Sequence, residues 1–174
     1  LAAETHVDRS IDNPSNFIYS NIIGTYNLLN SCHQYWSSLK LDKKNDFRLL
    51  LVSTDEVYGS LNSNQCLFTE ESRYEPNSPY SASKAASDLL GRAWSKTYGL
   101  PLIITNTTNN FGPWQFPEKL IPLTILKCLN NENIPIYGNG KQIRDWIFVD
   151  DHSNGILSAI KKGKPGEKYN ISSK

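Results

Sequence analysis

Phe47-Arg48-Leu49-Leu50-Leu51-Val52-Ser53-Thr54 is the stretch on which the fold turns. Its centre is a nearly continuous apolar run that closes on two hydroxyl residues. The polar sequence before it, Asp42-Lys43-Lys44-Asn45-Asp46, reads as a turn. A short apolar run between a turn and helical sequence reads as a strand covered on both faces, as in a parallel sheet. Upstream, Asn13-Pro14-Ser15 introduces a helical pattern that runs to about Leu39, with Phe17, Ile18, Ile22, Tyr26 and Leu29 at roughly helical spacing. Downstream, residues 58–77 are rich in Ser, Asn and Glu and read as a loop. Ser78-Pro79 then opens a helix to about Tyr98. Proline suits the first helical turn, and Gly99 supplies the stop.

The alternation continues to the end of the chain. Leu102-Ile103-Ile104-Thr105 is a second buried strand, and Phe111-Gly112-Pro113 turns the chain. Residues 117–130 form a third helix, 143–149 a strand, 150–161 a fourth helix and 168–171 a last short strand. Apolar strands alternating with helices through short connections imply an α/β fold with a parallel sheet. No internal repeat or low-complexity segment interrupts it. The chain leaves the sheet near residues 111–116, which divides it into residues 1–112 and residues 113–174.

Composition narrows the function classes. The 174 residues carry a formal net charge of +1, with no basic field of the kind nucleic-acid binding needs. No apolar run approaches the roughly 20 residues of a membrane helix. Cys32, Cys66 and Cys128 are odd in number and far apart, forming neither a CxxC pair nor a metal-ligand cluster. They read as free thiols of a reducing cytoplasm, with no metal expected. The chain begins with Leu1, contains no methionine and shows no signal-peptide pattern. That suggests a piece of a longer protein.

Two clusters carry chemistry. Tyr80 and Lys84 lie four apart at a helix start, so both side chains share a face. A free phenol has a pKa near about 10 and is a poor base at neutral pH. A neighbouring ammonium would stabilise the phenolate and lower that value, fitting the pair to take a proton from a sugar hydroxyl while hydride leaves its carbon. The second cluster, Ser53-Thr54-Asp55-Glu56, closes the first strand. Ligands of open α/β sheets bind off the carboxyl ends of strands. There Thr54 could donate a hydrogen bond, and two carboxyls that repel each other could divide into an acid and a base. Either cluster alone also fits a solvated helix surface or a polar turn. His6 reads as a packing or hydrogen-bonding residue.

Ser53-Thr54-Asp55-Glu56-Val57-Tyr58-Gly59 followed by Tyr80-Ser81-Ala82-Ser83-Lys84 resembles the extended short-chain dehydrogenase/reductases. Leu1-Ala2-Ala3-Glu4-Thr5-His6-Val7-Asp8 and Asn106-Thr107-Thr108-Asn109-Asn110-Phe111-Gly112-Pro113 fit the same family. The most specific elements are Phe116-Pro117-Glu118-Lys119-Leu120-Ile121-Pro122 and Ile143-Arg144-Asp145-Trp146. Together they are similar to its dTDP-glucose 4,6-dehydratase branch, and the likeness runs in order along essentially the whole chain.

The resemblance implies an NAD(P)-binding, Rossmann-like, doubly wound parallel sheet. It implies NAD-dependent dehydration of dTDP-glucose to dTDP-4-dehydro-6-deoxyglucose: oxidation at C4, loss of water across C5–C6, and hydride return to C6. Leu1, Ala2, Ala3, Glu4 and Thr5 would line the NAD site, with Ser20 and Asn110 near the cofactor. Thr54 would hydrogen-bond the C4 oxygen. Tyr80 would take the C4 hydroxyl proton, and Lys84 would hold the nicotinamide ribose. Glu56 would remove the C5 proton and Asp55 protonate the leaving C6 hydroxyl. Thr5 and Asn109 would touch the substrate, with Lys119, Leu120 and Arg144 at its diphosphate. Guanidinium suits that job because it meets phosphate oxygens two at a time. A homodimer through the helix that carries Tyr80 and Lys84 is also implied.

One expected motif is missing. No GxxGxxG occurs, although such a loop lets the backbone approach a pyrophosphate at a helix start. The family places it upstream of Leu1, with the first strands of the sheet, and places more of a substrate region beyond Lys174. The expectation is therefore the central part of an enzyme that is inactive when isolated. A UDP- or GDP-sugar dehydratase, a 4-epimerase or a decarboxylase would share Tyr80 and Lys84. A non-catalytic protein would share only the fold.

Overall fold

The computed structural model describes residues 2–61, 67–136 and 138–173; Leu1 and Cys66, named above, lie outside the described residues. In chain order the elements are α1 (Val7–Asp12), α2 (Pro14–Phe17), α3 (Gly24–Ser38), α4 (Leu41–Asp46), β1 (Leu49–Thr54), α5 (Pro79–Tyr98), β2 (Leu102–Thr107), β3 (Asn109–Phe111), α6 (Leu120–Leu129), β4 (Trp146–Phe148), α7 (Val149–Lys162) and β5 (Lys168–Ile171). A π-helical segment, Ile18–Ile23, joins α2 to α3, and a 3-10 turn, Asp55–Tyr58, follows β1.

The main sheet is parallel, in the order β1-β2-β5. Its register sets Thr54 beside Thr107 and Thr107 beside Ile171, so all three strands end at one level. Side chains alternate between faces along a strand. Leu102 and Ile104 of β2 and Leu49 and Leu51 of β1 therefore share a face, where they pack with Leu29, Trp36, Leu90 and Trp94 of α3 and α5. Ile103 points the other way, toward α7, where a Cβ on Gly163 would stand 3.1 Å from Ile103 Cδ1. The layered α/β fold expected from the sequence is thus present, with helices on both faces.

Two local devices set α5. Ser78 caps it in a reciprocal capping box with Ser81, and Pro79 follows, which satisfies amides a helix start leaves unpaired. Gly99, at φ 72, ends it in the left-handed conformation. Gly91 brings α5 close to β1, since a Cβ there would fall 2.7 Å from Leu51 Cδ1.

The structure differs from the sequence reading in several places, among them the π-helical segment within the helix expected from residue 13 to about 39. Residues 42–46, read as a turn, lie in α4, where Leu41 and the polar run close one short helix. Helix α1 precedes Pro14, where the sequence pattern sets the first helix start, and His6 caps it by accepting from the Arg9 amide at 3.4 Å. The strand expected over 143–149 is only Trp146–Phe148. It pairs in parallel with β3, a strand too short to show a pattern, in a separate two-stranded sheet. Cys32 and Cys128 are free, no group among the described residues could hold a metal, and no described helix is long and apolar enough to cross a membrane.

Candidate active site

The carboxyl end of β1 faces the first turns of α5. Thr54 is buried and caps the 3-10 turn, its hydroxyl accepting from the Glu56 amide at 3.3 Å and lying 3.3 Å from Asp55 Oδ1. That turn projects Asp55 and Glu56, both half-buried, beside the Tyr80 phenol. Tyr80 is held by its neighbours. Phe17 meets its ring edge-on at 6.4 Å, and its amide donates to Ser10 Oγ at 3.1 Å. One turn on, Lys84 Nζ donates to the Val52 carbonyl at 2.7 Å.

The electrostatics separate the two carboxyls. Burial, then repulsion from Glu56, pushes the Asp55 carboxyl up to about 6. Burial also raises Glu56, but Arg144 and then Lys119 pull it back. Adjacent acids thus stand in unlike surroundings: Arg144 opposes the rise of both, but the neighbouring carboxylate raises Asp55 and Lys119 acts on Glu56. Tyr80 departs from the expectation of a lowered phenol. Burial first, then Glu56, hold it above its ordinary value, and the Thr54 hydroxyl is what lowers it. Lys84 is turned to the Val52 carbonyl, and burial lowers its own pKa.

The more distant candidates divide. Asn21, buried in the π-helical segment, donates to the Glu4 carbonyl at 3.0 Å and to Ser83 Oγ at 2.9 Å, and accepts from the Glu4 amide at 2.9 Å. It fastens the segment Ala2, Ala3, Glu4 and Thr5 to the helix that carries Tyr80 and Lys84. Lys119 Nζ donates to the Thr5 carbonyl at 3.3 Å, which ties the α6 start to the same segment. Asn109 and Asn110 lie on β3, and Asn109 pairs with Trp146, so Arg144 stands two residues from that pairing. Asp145, the obvious ionic partner for Arg144, accepts instead from Ser173. Ser20 and Leu120 are exposed.

Sequence reasoning missed Asn21, Asp88 and Asn106. Asp88 is 2% exposed and Asn106 1% exposed; Asp88 accepts from Ser53 Oγ, and Asn106 Nδ2 lies 3.3 Å from the Thr54 carbonyl. The only local signal was the spacing of Tyr80, Lys84 and Asp88, each four residues apart on one helix.

A tyrosine and a lysine one helical turn apart, beside the carboxyl end of a parallel β-strand, are arranged as the resemblance to the extended short-chain dehydrogenase/reductases implies. The chain belongs to the GDP-mannose 4,6 dehydratase family, whose model matches residues 1–174. The chain is 57% identical over 179 aligned positions to dTDP-glucose 4,6-dehydratase 1 of Escherichia coli (strain K12), covering 98% of this chain and 50% of that protein. It superposes with a TM-score of 0.88, at 47% identity, on DesIV, a dTDP-glucose 4,6-dehydratase of Streptomyces venezuelae solved with NAD, over 98% of this chain and 50% of the other. A UDP-glucuronic acid 4-epimerase of Bacillus cereus, solved with UDP-glucuronic acid and NAD, superposes at 0.87 with 29% identity, over 100% and 52% of the two chains. The chain spans about half the length of the curated relatives it matches.

Proposed function

We propose that the protein catalyses NAD-dependent dehydration of dTDP-glucose to dTDP-4-dehydro-6-deoxyglucose. The unlike surroundings of Asp55 and Glu56 carry this reading. An elimination needs one group that gives a proton and one that takes it; burial raises both carboxyls, but Glu56 raises Asp55 further, to about 6, while Arg144 and Lys119 oppose the rise of Glu56. The dTDP-glucose dehydratases among the relatives supply the nucleotide and the sugar.

The residues fit the cofactor. Asn110 Oδ1 is a buried acceptor without a partner, and Lys84 Nζ keeps donors beyond the one given to Val52. Lys84 and Asn110 would hold NAD together with the segment from Leu1 to Thr5 and Ser20. NAD, when bound, supplies the hydride acceptor for C4 and the donor for C6. Thr54 holds the C4 oxygen, and Tyr80 takes its proton. Glu56 removes the C5 proton, which the new C4 carbonyl makes acidic, and Asp55 protonates the departing C6 oxygen. Thr5 and Asn109 position the sugar, while Lys119, Leu120 and Arg144 hold the diphosphate. Residues 1–112 carry the redox centre and residues 113–174 the nucleotide contacts. The full protein is a homodimer through α5.

The 4-epimerase reading rests on a comparable superposition and on the same Tyr80 and Lys84. It leaves Asp55 and Glu56 without work. The full-length protein incubated with dTDP-, UDP- and GDP-sugars should yield a 4-keto-6-deoxy product from dTDP-glucose alone; an epimer with no loss of water would sink the proposal. Glu56→Gln should stop C5 proton removal and leave C4 oxidation, so the absorbance of reduced nicotinamide should build up. The 174 residues by themselves, which contain no GxxGxxG, should hold NAD poorly and show no turnover.

A further inference from the structure

Asp55 and Glu56 stand in the 3-10 turn Asp55–Tyr58, and one side chain from β2 grips that turn on both sides. Asn106 is buried and lies opposite Ser53 in the parallel register. Its Nδ2 carries two protons and meets two acceptors. One is the Thr54 carbonyl at 3.3 Å, immediately before the turn, and the other is Asp88 Oδ2 at 3.1 Å. Two acceptors on that side fix which way the amide faces, because its oxygen would find no proton there. Asn106 Oδ1 is thereby turned to the Tyr58 hydroxyl at 3.3 Å, at the last residue of the turn. The same hydroxyl lies 2.9 Å from Asn170 Oδ1, so one phenol proton serves two amide oxygens. Asp88 Oδ2 also accepts from Ser53 Oγ at 2.8 Å and from Tyr74 OH at 3.0 Å, so the amide that grips the turn is itself held from α5.

We propose that Asn106 is a positioning residue: by bonding the Thr54 carbonyl and the Tyr58 phenol with the two ends of one amide, it sets where the Asp55 and Glu56 carboxyls stand. This inference rests on the acid and base reading of those carboxyls given above, but one arm of its test does not. Thr54 pairs with β2 beside Thr107, so the strand keeps its register without the amide. The turn leaves the sheet, and its own bonds are short-range: the Glu56 amide to Thr54 Oγ1 at 3.3 Å and the Gly59 amide to the Glu56 carbonyl at 3.2 Å. From outside, the Glu75 amide donates to the Val57 carbonyl at 2.9 Å. The Asn106 amide is the contact that ties the turn to the sheet at both of its ends. Proton transfer is sensitive to such a tie, since a displacement of about 1 Å can cost about 10²-fold in rate.

Amide hydrogen exchange in the full-length protein reads the turn directly. In Asn106→Ala the amides of Glu56 and Gly59 should exchange about tenfold faster or more, while residues 50–52 of β1 keep their rates. Unchanged protection at Glu56 and Gly59 overturns the proposal. A loss spread evenly over β1 and α5 overturns it too, because the amide would then serve core stability alone. Should Asn106→Ala fail to fold, Tyr58→Phe decides. It keeps the ring against Phe68 at 5.2 Å and Tyr74 at 5.4 Å and removes only the hydroxyl, and unchanged exchange at Gly59 in that variant overturns the proposal. Activity supplies the second arm. With dTDP-glucose, kcat of Asn106→Ala should fall about 10²-fold with KM little changed. In a single turnover the absorbance of reduced nicotinamide should rise before product appears, because elimination is slowed more than C4 oxidation. Equal slowing of both steps overturns the proposal. Absence of turnover by the unmutated enzyme would refute the dehydratase reading and leave hydrogen exchange as the arbiter of this one.

Discussion

The end of β1 and the segment from Pro113 to Asp145 are held in opposite ways. Around β1, Thr54, Val57 and Tyr58 are all buried, and the side chains beneath them are bonded to β2, α5 and β5. Along the second segment Trp114, Leu129, Ile136 and Ile143 are exposed, and α6 contains no buried residue. The groups proposed to move protons therefore stand on a braced frame. Those proposed to grip the diphosphate, Lys119, Leu120 and Arg144, stand on open chain. A braced frame fixes geometry to the fraction of an ångström that proton transfer needs, whereas charge attraction tolerates looser placement.

Substitutions can break this contrast. Tyr80→Phe should cost most, about 10³-fold in kcat, while leaving Tm nearly unchanged because the ring still meets Phe17. Loss of stability in that variant would mean the phenol is structural. Gly59→Ala comes next. Gly59 has φ +91, and a Cβ there would lie 2.4 Å from the Glu75 carbonyl oxygen, so the turn that carries Asp55 and Glu56 must shift. Denaturant melts should show about 2–3 kcal/mol of lost stability. Arg144→Ala should raise KM for dTDP-glucose about tenfold, with kcat falling less, since it removes one charged contact on open chain. A large drop in Tm would contradict the exposure of that side chain.

The smallest effect concerns stability against pH. Asp55 and Asp88 are raised from 3.8 to about 6. Each takes up a proton on folding between those values. The stability this contributes is present below the unfolded value and is lost as pH rises through about 6. Asp55→Asn should therefore melt higher than the parent at pH 7.5, by about 1 kcal/mol, with the gap closing near pH 4. A gap that widens toward acid would reverse the sign assigned to Asp55.

Much of the fold could be read from local patterns. The apolar run of β1, the proline and glycine that bound α5, and the apolar run of β2 each carry their own signal. The pair Tyr80 and Lys84 was readable for the same reason, because helical spacing puts i and i+4 together. The brace under them was not. Asn21 reaches Ser83 across 62 positions, and Ser53 reaches Asp88 across 35. Polar residues that meet only after the sheet has formed leave no periodicity behind. The π-helical segment that turns Asn21 inward is equally silent, since its sequence, Ile18-Tyr19-Ser20-Asn21-Ile22-Ile23, reads as ordinary amphipathic helix. The phenol was misjudged for a related reason. Spacing placed the ammonium near Tyr80, but gave no sign of the burial and the Glu56 carboxylate that hold the phenol up.

The order of the main sheet has a consequence for synthesis. The strands arrive as β1, β2 and then β5, and the last lies beside the second. A ribosome that has finished β2 has already made Tyr80, Lys84, Asp55 and Glu56. The outer rim of β2 still waits for its neighbour, and Tyr58 OH for Asn170, its partner 112 positions later at 2.9 Å. A nascent chain paused before Lys168 carries every proposed proton-transfer group, yet exposes an unpaired strand edge of the kind that recruits other chains. Protection of that edge of β2, rather than a proton-transfer group, is what β5 brings.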